Sequence, residues 1–580
     1  MPEQRNLMIA MVLMIAILFG YYLLVPQPQR PQQPAEIVST EAGQTASGQT
    51  ASGQTAPGQA GIPAAPGSGP AAQAPLDRAA ALARDPRVRI DAPRISGSIS
   101  LQGGRIDDVA LVDYHETVDN SSPRIELLSP LGSNAAYYTQ TGWVASDDSV
   151  PLPGPDTRWT ADNEVLTPDR PVTLTWDNGQ GQTFERVIAI DANYMFTVTD
   201  KVVNSGDAAL TLYPYSLVSR SGTPTTLGFY ILHEGPLGVV NGTLQEYDYD
   251  DLAEKQGPIS APSTGGWFGI TDKYWLAAVI PDTSDTVTAR FGHTVVGGTS
   301  KYQVDYLGSA HEVAPGGTAS NVSRVFAGAK ELDVLDGYGD SLGIEKFDLA
   351  IDFGWFYFLT KPIFIVLLWI EGIVGNLGVA ILVLTLMTKA LFFPLANKSY
   401  VAMSKMKKLQ PELVKLRERH KDDKVRLNQE MMGLYKKEKV NPAAGCLPIL
   451  VQIPVFFSLY KVLFVTIEMR HKPFFGWIHD LSAPDPMYIT NLFGMLPYTP
   501  PHFLAIGIWP VLMAITMFLQ QKLNPAPADP MQAKVMMFLP VMFLFLFAGF
   551  PAGLVVYWTW NNLLSIGQQW LIMRRMGVKV

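Results

Sequence analysis

The stretch VAILVLTLMTKALFFPL (379–395) governs how the rest of this chain is read. It is apolar almost throughout. At about 1.5 Å per helical residue it is long enough to cross most of a hydrocarbon core of about 30 Å. Lys389 stands inside it. An ionised lysine at that depth is costly unless it faces protein or water, which makes it a functional candidate. A salt bridge would explain it structurally, but no Asp or Glu occurs in 372–397, 447–467, 502–521 or 535–572. Snorkelling to the nearer interface is the other structural explanation. A wet cavity around Lys389 is the predicted arrangement. Thr385, four residues earlier, shares its helical face. Gln452 lies in a second apolar run, and Trp558, Asn562, Ser565 and Gln569 recur along the last one at spacings of four, three and four. Any one of these is as well explained as hydrogen-bonding glue between helices. Together, beside a lone lysine, they point to a groove. Lys461, near the far end of its run, is read as snorkelling.

Beyond this stretch, uncharged or nearly uncharged runs recur at 373–396, 447–467, 502–521, 535–550 and 553–572. Residues 7–25 add a sixth, too long for the apolar core of a cleaved signal and followed by Pro26-Gln27-Pro28 instead of a small-residue cleavage site. An uncleaved anchor is predicted there. The 580 residues are 47% hydrophobic and 17% charged, with a mean hydropathy of +0.12. Soluble domains carry about 25% charge, so a simple soluble enzyme is disfavoured. A single cysteine, Cys446, excludes an internal disulfide framework and a cysteine-rich metal site.

Charge divides the chain in two. Residues 26–345 hold 19 Lys and Arg against 38 Asp and Glu, whereas 398–440 hold 13 against 6. Basic residues concentrate in short cytoplasmic loops, so these two parts are predicted on opposite faces of a membrane. Repulsion from phosphates disfavours DNA binding by the acidic part. The run at 353–370 is apolar but interrupted by Lys361-Pro362. If it also crossed, the basic loop would lie outside. An interfacial helix is predicted instead, with Asp348, Asp352 and Lys361 wet and Trp355, Phe356 and Phe358 sunk into the interface. Arg5, Lys522, Lys534, Arg574, Arg575 and Lys579 then share the cytoplasmic side with both termini.

From residue 26 to about 80 the composition is Pro, Gln, Ala, Gly, Ser and Thr, including GQTASGQTASGQTAPGQ (43–59). Nothing there can offset the entropy of ordering, so a disordered linker is predicted. Further on, VTLTW (172–176), Asp177-Asn178-Gly179, FERVIAI (184–190) and MFTVTDKVV (195–203) alternate as strands around a hairpin signal. Two packed sheets are the natural solution for many such strands. His115, His233, His293 and His311 are scattered without ligand spacing, and the chain holds no GxxxxGK[ST] and no GxSxG motif. No cofactor, metal or catalytic residue is called for.

Two further features carry partner chemistry. VMMFLPVMFLFLFAGF (535–550) has no polar side chain, and Met536, Met537 and Met542 make a soft apolar surface. MSKMKKLQPELVKLRERH (403–420), then VRLNQEMMGLYKKEK after a polar turn, reads as a basic helical hairpin. Lys405, Lys407, Lys408, Arg417 and Arg419 are its candidate contacts to RNA or anionic headgroups.

The chain resembles the YidC-type membrane protein insertases of Gram-negative bacteria. The motifs are NPAAGCLPILVQIPVFFSLY (441–460), FGWIHDLSAPDP (475–486), DPMQAKVMMFLPVMF (529–543) and FPAGLVVYWTWNN (550–562). The expected fold is a polytopic α-helical membrane protein of six spans with a large periplasmic β-supersandwich and a cytoplasmic helical hairpin. The expected boundaries are an anchor at 1–25, linker at 26–85, β domain at 86–343, interfacial helix at 344–371 and second span at 372–397. The hairpin follows at 398–440, the third span at 441–467, a periplasmic loop at 468–501 and the fourth span at 502–521. A cytoplasmic loop at 522–534, spans at 535–550 and 553–572 and a tail at 573–580 complete it. The resemblance implies a hydrophilic groove open to cytoplasm and lipid but closed outward, with Lys389 where the family usually has arginine. Thr385 matches the family's groove threonine, and a tyrosine often seen on the last span falls at Trp558, beside Tyr557. Gln452 and Asn562 complete the expected groove, and Phe456, Met537 and Met542 an apolar slide. Expected partners are nascent membrane proteins, such as ATP synthase subunits, the Sec translocon, the ribosome and the phospholipid bilayer. The implied action is facilitated partitioning in the inner membrane, not enzymatic catalysis. A small-solute transporter with Lys389 as counter-ion is the alternative, weakened by the missing intramembrane carboxylates and repeats.

Overall fold

Val172–Asp177 and Gln182–Ile190 pair antiparallel with Asp177 opposite Thr183, so the alternation around Asp177-Asn178-Gly179 does build a hairpin. The side-chain oxygen of Asn178 accepts from the Gln180 and Gln182 N–H groups at 2.8 and 3.1 Å, which closes the turn. Gln182–Ile190 alternates buried and half-buried residues, as a strand packed on one face must. The computed structural model describes residues 76–577 apart from 147–149, 227–231, 256, 421–422, 439, 441–446, 497, 499, 502–503 and 525–529. The anchor expected at 1–25, most of the linker and Cys446 lie outside the described residues.

Among the described residues the hairpin belongs to a nine-stranded sheet that faces an eleven-stranded one. Met195–Asn204 and Thr318–Ala329 pair at the centre of the first, Tyr137–Ala145 and Leu210–Ser221 at the centre of the second. Phe268, Phe291 and Tyr306 are buried between them, with Phe268 6.4 and 6.1 Å from the other two rings, while Trp267 and Phe326 are buried on the opposite face of the nine-stranded sheet. Two short helices, α1 (Arg78–Arg84) and α2 (Tyr249–Glu254), and the longer α3 (Leu332–Leu342) accompany the sheets.

The helix expected over 344–371 begins later. Residues 344–353 instead pack on the outer face of the nine-stranded sheet. Phe347 is buried edge-on to Trp267 and Phe326, with ring centroids 5.5 and 5.2 Å apart. Burying an aromatic side chain of this size stabilises by about 1.5–3 kcal/mol, which favours this path over a helix at the surface. The charges expected to stay wet are paired. Lys361 Nζ lies 2.8 Å from both Asp336 and Asp348, and Lys461 Nζ lies 2.7 Å from Asp352, so Lys461 is tied down and does not snorkel. An unpaired charge at such an apolar junction would be costly. Gly354 has φ +70, a left-handed conformation that favours glycine, and lies directly beside the Lys461 side chain. Trp355 is 95% exposed.

The helical part starts with α4 (Tyr357–Val374), ended by Gly375 in the left-handed conformation. Asn376 then caps α5 (Leu377–Leu391), accepting from the Val379 N–H at 3.0 Å. The single span expected at 372–397 is broken. α5 meets α6 (Phe393–Arg419) at 70°, where Pro394 fits the first turn of the new helix because it needs no amide donor there. α7 (Lys424–Lys437) packs back on α6. The rest are α8 (Leu447–Val465), α9 (Ile508–Leu523), α10 (Pro530–Phe547) and α11 (Ala552–Arg575), and α11 packs against α5, α6, α8 and α9. Among the described residues only α4 is by itself long and apolar enough to cross a membrane, and the bent α5–α6 pair qualifies when taken together.

Candidate functional site

α5 places Thr385, Thr388 and Lys389 on one face, at the helical spacings of three and four that bring side chains together. α6 adds Leu395, Ala396 and Tyr400, α8 adds Gln452 and Val455, and α11 adds Tyr557 and Asn561. These side chains line a cavity of about 50 Å³, room for roughly three or four water molecules. Lys389 Nζ donates to Ser565 Oγ at 2.7 Å. Among the described residues no carboxylate pairs with it. Thr385 and Thr388 donate their hydroxyls to the carbonyls of Ile381 and Leu384, at 2.7 and 2.9 Å, which leaves their oxygens as acceptors. Gln452 Nε2 donates to Asn561 Oδ1 at 2.6 Å and ties α8 to α11.

Of the residues expected around the groove, Lys389, Thr385, Gln452 and Ser565 come together here. Trp558 and Asn562 do not line the cavity. Trp558 packs against Phe456 of α8 and Phe547 of α10, with ring centroids 4.6 and 5.0 Å away. Asn562 is buried between α11 and α9, donating to Thr516 Oγ1 at 3.2 Å, and Gln569 donates to Asn524 in the same seam. The cavity face of α11 is Tyr557, Asn561 and Ser565, two steps of four that share Ser565 with the expected stripe and take the residues just before Trp558 and Asn562. Their spacing was a visible signal. Which of two adjacent stripes turns toward the lysine depends on the helix's rotation, which periodicity does not supply.

Phe456 is half-buried in the aromatic cluster around Trp558, Met537 is 58% exposed on α10, and Met542 is half-buried. α8 and α10 thus meet through Trp558 and offer apolar side chains outward. The basic residues of α6 divide as well. Lys405, Arg419 and Lys408 are exposed while Lys407 and Arg417 are half-buried. Lys408 Nζ donates to the Met576 carbonyl at 2.7 Å and Lys407 Nζ to the Lys522 carbonyl at 3.4 Å. Both meet the C-terminal ends of helices, α11 and α9, where cations are favoured.

Where sandwich and helices join, Glu468 follows α8 and accepts the Leu332 N–H at the start of α3, 3.0 Å away. Burial pushes its carboxyl up to about 7. Arg470 reaches the His115 carbonyl at 2.6 Å and lies over the Trp275 ring. Among the described residues no three His, Cys, Asp or Glu side chains converge on a point that would hold a metal ion.

A family model described as the YidC periplasmic domain matches residues 87–366, and one described as 60Kd inner membrane protein matches 369–579. The membrane protein insertase YidC of Methylobacterium sp. (strain 4-46) is 56% identical, over 100% of this chain and 96% of that protein. The chain belongs to the YidC family of membrane protein insertases. The YidC of Beijerinckia indica subsp. indica is 54% identical, over 100% of this chain and 97% of its own length, and that of Rickettsia felis 48%, over 98% of each. A crystal structure of an active YidC insertase with its first transmembrane domain resolved shares 18% identity, covering 83% of this chain and 92% of that one at a TM-score of 0.36. The two YidC matches meet inside α4, so this helix belongs to both the periplasmic and the membrane part of the family.

Proposed function

We propose that this chain is a membrane protein insertase of the bacterial inner membrane, and that the cavity at Lys389 is the place where it handles a polar flank. The observation that carries this reading is a half-buried ammonium held by a serine hydroxyl, ringed by Thr385, Thr388, Tyr557 and Asn561. A carboxylate about 4 Å from such a charge gains roughly 4 kcal/mol where the effective dielectric is near 20. Carrying one ionised carboxylate through the apolar centre costs roughly 2.5–3.5 kcal/mol. About 20 apolar residues, at roughly 0.3–0.6 kcal/mol each, gain on the order of 6–12 kcal/mol in the bilayer. Transfer with two acidic flank residues is therefore downhill, and the obstacle is a barrier. The cavity lowers that barrier without nucleotide hydrolysis, while the apolar segment moves into lipid along Phe456, Met537 and Met542.

In this reading the chain has six spans, with the sandwich in the periplasm and both termini and the α6–α7 hairpin in the cytoplasm. α4 lies along the outer interface. Its length and apolarity would allow crossing, but the positive charge of α6 and α7 favours an inside position for them and so an interfacial α4. The hairpin meets the ribosome, and the Sec translocon shares larger substrates. The transporter alternative has no support in the comparisons.

Reconstitution of the full chain in liposomes tests the proposal. A small single-span protein synthesised beside the vesicles should become protease-protected in the correct orientation, and empty vesicles should give far less. Equal protection in both would overturn it.

A further inference from the structure

Between α8 and α9 the chain makes a loop whose polarity is inverted. No Asp, Glu, Lys or Arg occurs from 486 to 521. Met495 is 80% exposed, and Leu492, Phe493, Leu496 and Tyr498 are exposed beside it. The polar groups turn inward. Asn491 is buried and its side chain accepts from the Gly494 N–H at 2.9 Å. Tyr498 donates its hydroxyl to the Thr490 carbonyl at 2.6 Å, and Thr490 donates to the Leu504 carbonyl at 2.8 Å. The Phe493 and Leu496 N–H groups are bonded to the Tyr488 and Asn491 carbonyls at 2.9 and 3.1 Å. Apolar side chains outside and polar groups satisfied within is what a hydrocarbon environment requires of a non-helical segment.

The tip is also held in an unusual shape. Leu492 and Phe493 have φ of +51 and +61, a left-handed conformation that bulky residues rarely adopt. Such outliers persist when the surroundings over-determine them. Here a firm stem does so. Ile489 N–H bonds the Ile506 carbonyl at 3.0 Å, and buried Asp485 accepts from Met487 N–H, Trp509 N–H and Trp477 Nε1 at 2.8–3.0 Å. A Cβ on Gly507 would sit 2.5 Å from Asp485 Cβ, so the stem admits only glycine there. The loop leads straight into α9, whose Leu512, Ile515, Phe518 and Leu519 are exposed as well.

We infer that the tip formed by Leu492, Phe493, Met495 and Leu496 seats in the acyl and headgroup boundary of the outer leaflet, continuous with the lipid-facing side of α9. The occupant is the phospholipid bilayer. The absence of charge excludes an acidic or basic partner, and the firm stem aims the tip as a fixed wedge beside the span. The inference rests on the reading of α9 as a span.

The full-length chain with Cys446→Ser, reconstituted in pure phospholipid vesicles, would carry one environment-sensitive label at Met495→Cys, Ile515→Cys or Val295→Cys. Val295 lies on an exposed strand of the sandwich and reports water. The label at 495 should be quenched by a nitroxide placed shallowly on the lipid chain and should lose quenching by aqueous iodide, whereas the label at 295 should do the reverse. Iodide quenching at 495 equal to that at 295 overturns the inference. So does shielding that arises only in native membranes and not in pure lipid, which would make the occupant a protein. The label at 515 separates the two levels of the argument. Lipid quenching at 515 but not at 495 refutes the wedge alone, and its absence at 515 refutes the span on which the wedge depends.

Discussion

Lys389 Nζ donates to Ser565 Oγ at 2.7 Å, and Ser565 donates in turn to the Asn561 carbonyl at 2.8 Å, so the ammonium is held by a neutral acceptor and its charge is left uncompensated. An ion pair would have cancelled the field that an entering carboxylate meets.

Charge, then, should matter more than shape at this position. Lys389→Arg should keep insertion of a substrate with two acidic flank residues, Lys389→Ala should lose it, and Lys389→Glu should be worse than alanine, because like charges repel more strongly where the dielectric is low. A matched substrate with neutral flanks should be affected much less. Protease protection in vesicles at equal protein levels measures this. Equal damage by alanine to both substrates would leave Lys389 as a source of hydration only.

The two aromatic residues side by side on α11 should separate cleanly. Tyr557→Phe removes a hydroxyl from the cavity lining and should reduce insertion with little change in stability. Trp558→Ala empties the cluster with Phe456, Phe543 and Phe547 and should destabilise by about 3 kcal/mol. Thermal unfolding in detergent beside insertion assays would check both. A stable Trp558→Ala with lost insertion would return that residue to the groove.

The basic residues of α6 should divide by what they touch. Replacing Lys405, Arg417 and Arg419 together by glutamine should weaken ribosome association, most visibly at low ionic strength. Lys408→Gln should instead loosen the end of α11, at about 0.3–1 kcal/mol. Co-sedimentation over a salt series reads the first effect and thermal unfolding the second. Unchanged binding of the triple variant at low salt would remove the hairpin from recruitment.

Glu468 should make the junction of sandwich and helices sensitive to pH. Its carboxyl rises from 4.5 to about 7 through burial, with Glu331 and Asp333 nearby favouring the same direction. A raised carboxyl binds its proton more tightly in the folded chain, so the stabilisation is complete below about pH 4.5 and is lost as pH climbs through about 7. The difference in melting temperature between the wild type and Glu468→Gln should therefore change across that window, and comparing the two cancels the opposing titration of His471, which burial lowers. A constant difference from pH 5 to 8 would show that Glu468 titrates normally.

Much of this organisation was legible before any coordinates, for reasons that particular residues make plain. Strand alternation and the Asn178-Gly179 turn are local signals, and they specified the hairpin. Lys389 stood out because a charge in an apolar run is expensive wherever the neighbours lie. Long-range partners were not legible. Asp352 and Lys461 are far apart in the chain, and nothing in either segment announces the other. Residues 344–353 read as part of the interfacial helix because Asp348 and Asp352 suit a wet face beside Trp355, Phe356 and Phe358, but Phe347 is claimed by Trp267 and Phe326 on the outer face of the nine-stranded sheet. On the face that α11 turns to Lys389, Ser565 was expected while Tyr557 and Asn561 stand one residue before Trp558 and Asn562, because spacing defines stripes and packing chooses among them.

Phe347 is buried against Trp267 and Phe326 of the sandwich only a short stretch before α4 begins, and Lys461 clamps that stretch at Asp352. The sandwich is therefore coupled to α4 without slack, and a pull on it arrives at the helix as tension. On this side the outer domain is a lever arm. A force on it would reach α4 and, across the single tight link at Gly375 and Asn376, α5, the helix that carries Lys389.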